Sequence, residues 1–145
     1  HAPSIENLSL TEAAEGEPDY PLPDWFFQES VFVLERLLRA DDIPAVFLRE
    51  FIPKRYLKDT ELNPAATSIY ALVKDQVKLD IAYTVSEILA ATATAKVKEL
   101  FELQSAAPLV MLKERHFGSS NEVIIYSEAY INNLTTLRLS VLRRE

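Results

Sequence analysis

Two segments of strict alternation, each folded back by a short turn, constrain this chain more than any other feature. Residues 31–52 alternate with a period of two on both sides of a turn at 40–44, which contains two Asp residues and a proline. Residues 109–131 do the same around a turn at 118–121. Alternating segments joined by tight turns form antiparallel hairpins. The sequence therefore predicts a fold dominated by an antiparallel sheet.

Between and around these hairpins the pattern predicts two helices and more strands. Thr67 or Ser68 is a candidate cap for a first helix, because an apolar stripe at helical spacing follows. That stripe consists of Ile69, Leu72, Val73 and Val77. The second helix carries an apolar face formed by Ala93, Val97, Leu100 and Phe101. Further strands are predicted at residues 5–10, 79–86 and 134–142. Together these elements indicate an α+β domain whose helices pack on one face of the sheet.

The charge of the chain is unevenly distributed and separates a leader from a body. Residues 1–30 hold seven acidic residues, four of the eight prolines and no Lys or Arg. The remaining 115 residues carry 15 acidic and 15 basic residues, so their net charge is zero. We therefore expect an acidic leader over 1–30 and a single domain over 31–145. A neutral body behind an acidic leader is not expected to bind nucleic acid by itself.

Few residues in the chain could carry catalysis or bind a metal. There is no cysteine, and two glycines are too few for the glycine-rich loops that bind nucleotides. His116 is the one imidazole that is not terminal, and we expect it at the surface or in the hairpin. We predict no enzyme activity, catalytic residue, metal or cofactor. No apolar run is long enough to span a membrane, which favours a cytoplasmic protein.

One charged residue interrupts an apolar strand face. Arg36 lies on the same predicted strand face as Phe32, Leu34 and Leu38. A guanidinium that faces a core needs a carboxylate or a ligand anion. The pattern is compatible with two interpretations: a salt bridge from Arg36 to Glu128 or Glu50, or a polar binding pocket. Three polar residues of the 123–131 strand share a face and would line such a pocket if they converge with Arg36. They are Tyr126, Glu128 and Tyr130.

Several short motifs in a fixed order resemble those of a known family. They are Glu35–Pro44, Phe51–Pro53, Ser68–Leu72, Pro108–Leu112 and Val123–Glu128. This order resembles the UTRA domain, the effector-binding half of HutC-type GntR transcription regulators, over about residues 5–142. The resemblance implies a chorismate-lyase-like α+β fold that binds a small anionic metabolite and forms a homodimer. Operator DNA would then be bound through a winged helix-turn-helix domain that this chain lacks.

The resemblance also implies ligand-binding residues. Arg36 would pair with the anion, while Ser68 and Tyr70 would contact it from the start of the first helix. Glu128 and Tyr130 lie near the last strand that contacts ligands in the family. Two positions depart from the family pattern, because Leu38 replaces a frequent second Arg and Leu48 replaces a frequent Glu. These departures point toward a smaller or more apolar anion than a sugar phosphate.

Two other hypotheses remain open at this point. A chorismate-lyase-like enzyme would use a buried Arg to hold a small carboxylate, and a dimerisation module would keep the fold without binding a ligand. The missing second Arg at position 38 and the acidic leader favour the regulatory interpretation.

Overall fold

The computed structural model of the chain describes residues 3–13, 30–57, 69–105 and 107–132, with residues 140, 142 and 144. Its six strands are β1 (Pro3–Ala13), β2 (Val31–Ala40), β3 (Ile43–Pro53), β4 (Tyr83–Thr92), β5 (Pro108–Phe117) and β6 (Val123–Ile131). Its helices are a 3-10 turn (Lys54–Leu57), α1 (Ile69–Leu72), which continues as a π-helical turn (Val73–Val77), and α2 (Ala95–Leu100). No helix among the described residues is long and apolar enough to cross a membrane.

All six strands form one antiparallel sheet, in the order β1-β2-β3-β6-β5-β4. The first meander, β1 to β3, and the second meander, β4 to β6, therefore meet where β3 pairs with β6. The predicted antiparallel α+β fold is confirmed. The strand predicted at 5–10 is also confirmed, and as β1 it belongs to the same sheet as the rest of the first meander.

The turn between β2 and β3 shows how the local sequence sets the hairpin. Asp41 and Asp42 both have a positive φ, at 49° and 66°. A two-residue hairpin turn needs this left-handed conformation, and Asp adopts it more readily than most residues. Ala40 then faces Ile43, and the pairing continues to Val31 opposite Pro53.

One predicted strand begins too early in the sequence. β4 starts at Tyr83 rather than at residue 79 and continues to Thr92, because its bounds are set by pairing with β5. Leu79 and Ile81 precede the strand and pack against a core cluster, which explains the alternation that predicted a strand there. The predicted second helix is present but begins at Ala95, so Ala93, which was expected on its apolar face, precedes it. Thr94 caps this helix by accepting a hydrogen bond from the backbone N–H of Val97.

The helices pack on both faces of the sheet, and the prediction of a single covered face is wrong. Residues directly opposite in neighbouring strands share a face, so the register assigns every strand residue to one side. On the α1 face, α1 and its π-helical turn cover a cluster formed by Leu34, Ile52, Leu57, Leu72, Val73, Val77, Ile124 and Ile125. On the α2 face, α2 covers a cluster of Leu37, Phe47, Val97, Phe101 and Leu109. The helix cap at Thr67 or Ser68 lies outside the described residues. The strand predicted at 134–142 also lies outside them, except for residues 140 and 142, which belong to no strand.

Candidate functional site

A buried ion pair lies at the centre of the α1 face. Arg36 on β2 donates a hydrogen bond from Nη2 to Oε1 of Glu50 on β3 over 2.7 Å. Both side chains are almost fully buried, with exposed fractions of 2% and 3%. Of the two carboxylates expected as a partner for Arg36, the structure selects Glu50. Arg36 therefore faces the core, as the alternation predicts, and is neutralised there by an acid of the same hairpin.

The carboxylate of Glu50 is poorly stabilised for a buried charge. Burial raises the pKa of Glu50, and the nearby Arg36 guanidinium opposes this rise without cancelling it. Its second oxygen, Oε2, is buried and accepts no hydrogen bond from the described residues. A buried carboxylate with one unsatisfied oxygen is costly to keep ionised. Burial therefore disfavours the charged form of Glu50, and Arg36 is the cation that opposes this effect.

A hydrogen-bonded imidazole continues the polar region towards β4. His116 on β5 is buried, so the expected surface position is wrong, whereas the expected position in a hairpin is confirmed by its pairing with Ile125 of β6. Its Nδ1 lies 2.9 Å from Oγ1 of Thr84, and its Nε2 lies 3.3 Å from Oγ of Ser127. Burial lowers the pKa of His116, although Glu114 opposes the effect, and so burial favours the neutral ring. Ser127 stands directly opposite Glu50 in the register, on the side of the sheet that also carries the imidazole.

Tyr70 contacts this polar region from α1. Its ring meets the His116 ring edge-on at a centroid distance of 5.9 Å, and its hydroxyl lies 3.5 Å from Oγ1 of Thr84. More than half of the Tyr70 surface, 56%, is exposed. Ser68, the other predicted contact on this helix, lies outside the described residues. The structure therefore places Arg36 and Tyr70 on the same face of the sheet.

Glu128 and Tyr130 lie on the opposite face, so the expected convergence with Arg36 does not occur. In the register Arg36 faces Leu48 and shares its side of the sheet, whereas Arg49 faces Glu128. Tyr130 stacks on Phe47, a core residue of the α2 face, with ring centroids 6.2 Å apart. Successive strand residues point to opposite sides, and one position of register decides which side a residue takes.

On the α2 face the register aligns a row of alternating charges across five strands. The row runs through Glu35, Arg49, Glu128, Lys113 and Glu87. Opposite charges on directly opposed residues stabilise a sheet. Burial raises the pKa of Glu128, while Arg49 and Lys113 oppose the rise. The row holds three acids and two cations, and each cation stands between two acids, so both cations are neutralised within the sheet.

Glu35, at one end of this row, is surrounded by donors. Arg49, Lys96 of α2 and Ser9 of β1 each donate a hydrogen bond to its carboxylate. Burial alone would raise the pKa of Glu35, but these three neighbours together lower it below its ordinary value. This cluster was not predicted from the sequence, because its members come from four separate elements. The one indication in the sequence was Glu35 itself, an acidic residue on the same strand face as Val33 and Leu37.

Comparison with known proteins finds the same fold in transcription regulators. The model of the UTRA domain family matches residues 1–134. The effector domain of PhnF from Mycobacterium smegmatis is similar, with a TM-score of 0.80 and 16% identity over 99% of this chain and 88% of that domain. A GntR-family transcriptional regulator from Enterococcus faecalis has a TM-score of 0.77 and 17% identity, over 95% of this chain and 100% of that one.

PhnF from Mycobacterium smegmatis has also been solved as a longer chain. This protein covers 64% of it, with 99% of its own residues aligned, a TM-score of 0.81 and 15% identity. At such identities the likeness concerns the fold. No curated protein matches the chain in sequence.

Proposed function

Because the chain belongs to the UTRA domain family, we propose that it is the effector-binding domain of a GntR-type transcription regulator of the HutC subfamily. Its role is regulatory rather than enzymatic. It binds a small anionic metabolite in the cytoplasm and thereby changes operator binding by a winged-helix domain outside this chain. The similar fold of the PhnF effector domain and of a GntR-family regulator supports this proposal. The ligand would act by favouring one of two arrangements of the regulator.

The observation that carries the proposal is the buried guanidinium of Arg36. A buried cation requires an anion, and the anion present here, Glu50, is itself poorly stabilised. Tyr70 lies on the same face and is exposed enough to contact a ligand. We therefore assign the ligand to the α1 face, with Arg36, Ser68 and Tyr70 as its predicted contacts. Glu128 and Tyr130 are left out, because a ligand at Arg36 would have to pass through the sheet to reach them.

The neighbours of Arg36 restrict the kind of anion. Leu48 stands directly opposite Arg36, and Leu38 follows on the same face of β2. Neither side chain donates a hydrogen bond, so the described residues of β2 and β3 place the Arg36 guanidinium next to apolar surface. A compact carboxylate with an apolar body suits such surroundings better than a doubly charged phosphate ester with a polar sugar.

We also propose that the domain forms a homodimer through β4. Within the described part of the chain, β4 pairs with β5 alone, and its ten residues leave one edge of the sheet open. Four large apolar residues of this strand are exposed: Tyr83, Val85, Ile88 and Leu89. Long, open and apolar edge strands favour pairing with another strand. A second copy of β4 would cover this edge.

Sedimentation velocity tests the dimer. We expect a dimer for the wild type and a monomer for Ile88→Glu combined with Leu89→Glu. Ile43→Glu is the matched control, since Ile43 is equally exposed but lies in the β2–β3 hairpin. A double variant that sediments as a dimer would exclude β4 as the interface.

Ligand binding is tested by thermal shift against a library of small carboxylates and phosphates. We expect a carboxylate to stabilise the wild type and to lose at least tenfold in affinity in Arg36→Met. Arg39→Met is the matched control, because Arg39 lies on the same strand and pairs with Glu6 at the surface. If Arg36→Met, folded by circular dichroism, binds the best carboxylate as well as the wild type does, the proposed site is wrong.

A further inference from the structure

The buried pair on the α1 face gives Glu50 a role beyond packing. We infer that Glu50 occupies the position of the effector's anionic group at Arg36, and that an incoming anion displaces Glu50 as this carboxylate takes up a proton. The inference rests on the proposed function, because it assumes that Arg36 is where the anion binds. Glu50 is then the residue that competes with the effector for Arg36, and one proton is taken up when the effector binds.

Charge balance in a buried location supports the exchange. Arg36 and Glu50 together are neutral, with exposed fractions of only 2% and 3%. A second anion brought to Arg36 beside an ionised Glu50 would leave a net negative charge in the core, which is strongly unfavourable. One proton from solvent, bound to Glu50, restores neutrality. The guanidinium then pairs with the ligand, and the protonated carboxyl becomes a hydrogen-bond donor.

The surroundings of Glu50 without ligand already favour its protonation. Its Oε2 is buried and accepts no hydrogen bond from the described residues, so one oxygen is available to hold a proton. Burial raises the pKa of Glu50 despite the adjacent guanidinium, which shows that the charged form is costly. Ser127 stands opposite Glu50 on β6 and offers a hydroxyl within the reach of a displaced carboxyl.

The other charged groups that the structure describes around this face are held apart from the pair. Glu114 of β5 stands beyond Ser127 and accepts a hydrogen bond from Ser86, while the His116 ring lies between two hydroxyls. Two charged residues of the π-helical turn, Lys74 and Asp75, are exposed to solvent. Lys54 of the 3-10 turn pairs with Glu12 at the sheet edge. Glu50 is therefore the carboxylate that we expect to respond when an anion reaches Arg36.

Titration calorimetry with benzoate tests the exchange, since benzoate is a singly charged carboxylate with an apolar body and stays ionised above about pH 6. Measurements in two buffers with different enthalpies of ionisation give the number of protons bound per benzoate. We expect about one proton per benzoate where Glu50 is ionised in the free protein, and an affinity that falls about tenfold per pH unit there. In Glu50→Gln we expect tighter binding, no proton uptake and no dependence on pH.

Glu114→Gln is the matched control, since it removes one negative charge from the same face without touching Arg36. It should keep the proton uptake and the pH dependence of the wild type. Benzoate binding to the wild type without proton uptake would overturn the inference but leave the anion site intact. Absence of benzoate binding in both the wild type and a folded Glu50→Gln would overturn the anion site as well. The wild-type calorimetry decides the inference even if Glu50→Gln does not fold.

Discussion

Each face of the sheet buries one glutamate of the first meander, and the surroundings shift the pKa values of the two acids in opposite directions. Glu35 on the α2 face is held by Arg49, Lys96 and Ser9, and these neighbours lower its pKa. Glu50 on the α1 face is held by Arg36, and its pKa is raised. A carboxylate with three donors is held in its charged form. A carboxylate that has a single cation beside it, and one oxygen without a hydrogen bond, is expected to take up a proton more readily. We therefore expect the charged cluster of the α2 face to stabilise the fold, and we propose the α1 face as the one that binds the ligand.

Removing the cation of the α1 face tests this contrast most strongly. Arg36→Met leaves Glu50 buried without its partner, and loss of one member of a buried pair typically costs about 3–5 kcal/mol. We expect a loss of this size in the free energy of unfolding at pH 8, measured by urea denaturation. The loss should shrink at acidic pH, because Glu50 then becomes neutral. A loss below about 1 kcal/mol at pH 8 would contradict the burial of the pair.

The matching change on the α2 face should cost less. Glu35→Gln removes a charge from three donors, of which Lys96 is half exposed and can return to water. We expect a loss of about 1–3 kcal/mol at neutral pH, measured in the same way.

The pH dependence of Glu35 has a definite sign. Because its folded pKa is lowered, its contribution is present above the unfolded pKa near 4.5 and disappears as the pH falls through the folded pKa. The wild type should therefore lose stability in this acidic range more steeply than Glu35→Gln does. Equal slopes for the two proteins would show that Glu35 is not selectively stabilised in its charged form.

His116 should make stability depend on pH at higher values. Its folded pKa is lowered, so the unfolded chain binds a proton first as the pH falls below the ordinary value of 6.5. Unfolding is then favoured, and we expect a loss of about 1 kcal/mol as the pH falls through this window. Thermal unfolding between pH 7.5 and 5.5 measures the effect. His116→Gln should flatten this part of the profile, and an unchanged slope would exclude His116 as its source.

Glu50→Gln should have the smallest effect on stability. The substitution removes a costly buried charge but keeps a polar group beside Arg36, so the two effects oppose each other. We expect a change within about 1 kcal/mol of the wild type at neutral pH, by urea denaturation. A loss as large as that of Arg36→Met would remove the difference between the two buried acids.

The features that were predicted correctly from the sequence are those set by residues close together in the chain. Alternation gave β2, β3, β5 and β6, and the two consecutive Asp residues marked a hairpin turn that the structure confirms. The same alternation identified Arg36 as a buried cation in need of an anion. Glu50 lies on the return strand of the same hairpin, so this pair was within reach of local reasoning.

What the sequence could not predict depends on register between distant strands. Whether Glu128 shares a face with Arg36 is decided by the pairing of β3 with β6, and a shift of one position would reverse the answer. His116 looked like a surface residue because its partners, Thr84 and Ser127, belong to other strands. The row of charges on the α2 face was invisible for the same reason.

The junction between the two meanders also has a consequence for folding. Residues paired within the β2–β3 and β5–β6 hairpins are separated by at most 22 positions, as in Val31 opposite Pro53. Pairs across β3 and β6 are separated by 75 to 85 positions, from Phe51 with Tyr126 to Val46 with Ile131. Distant pairings form slowly because a long loop must first close. Each meander would fold early on its own, and the α1 face, with Glu50 on one side and Ser127 on the other, would be completed in the last step.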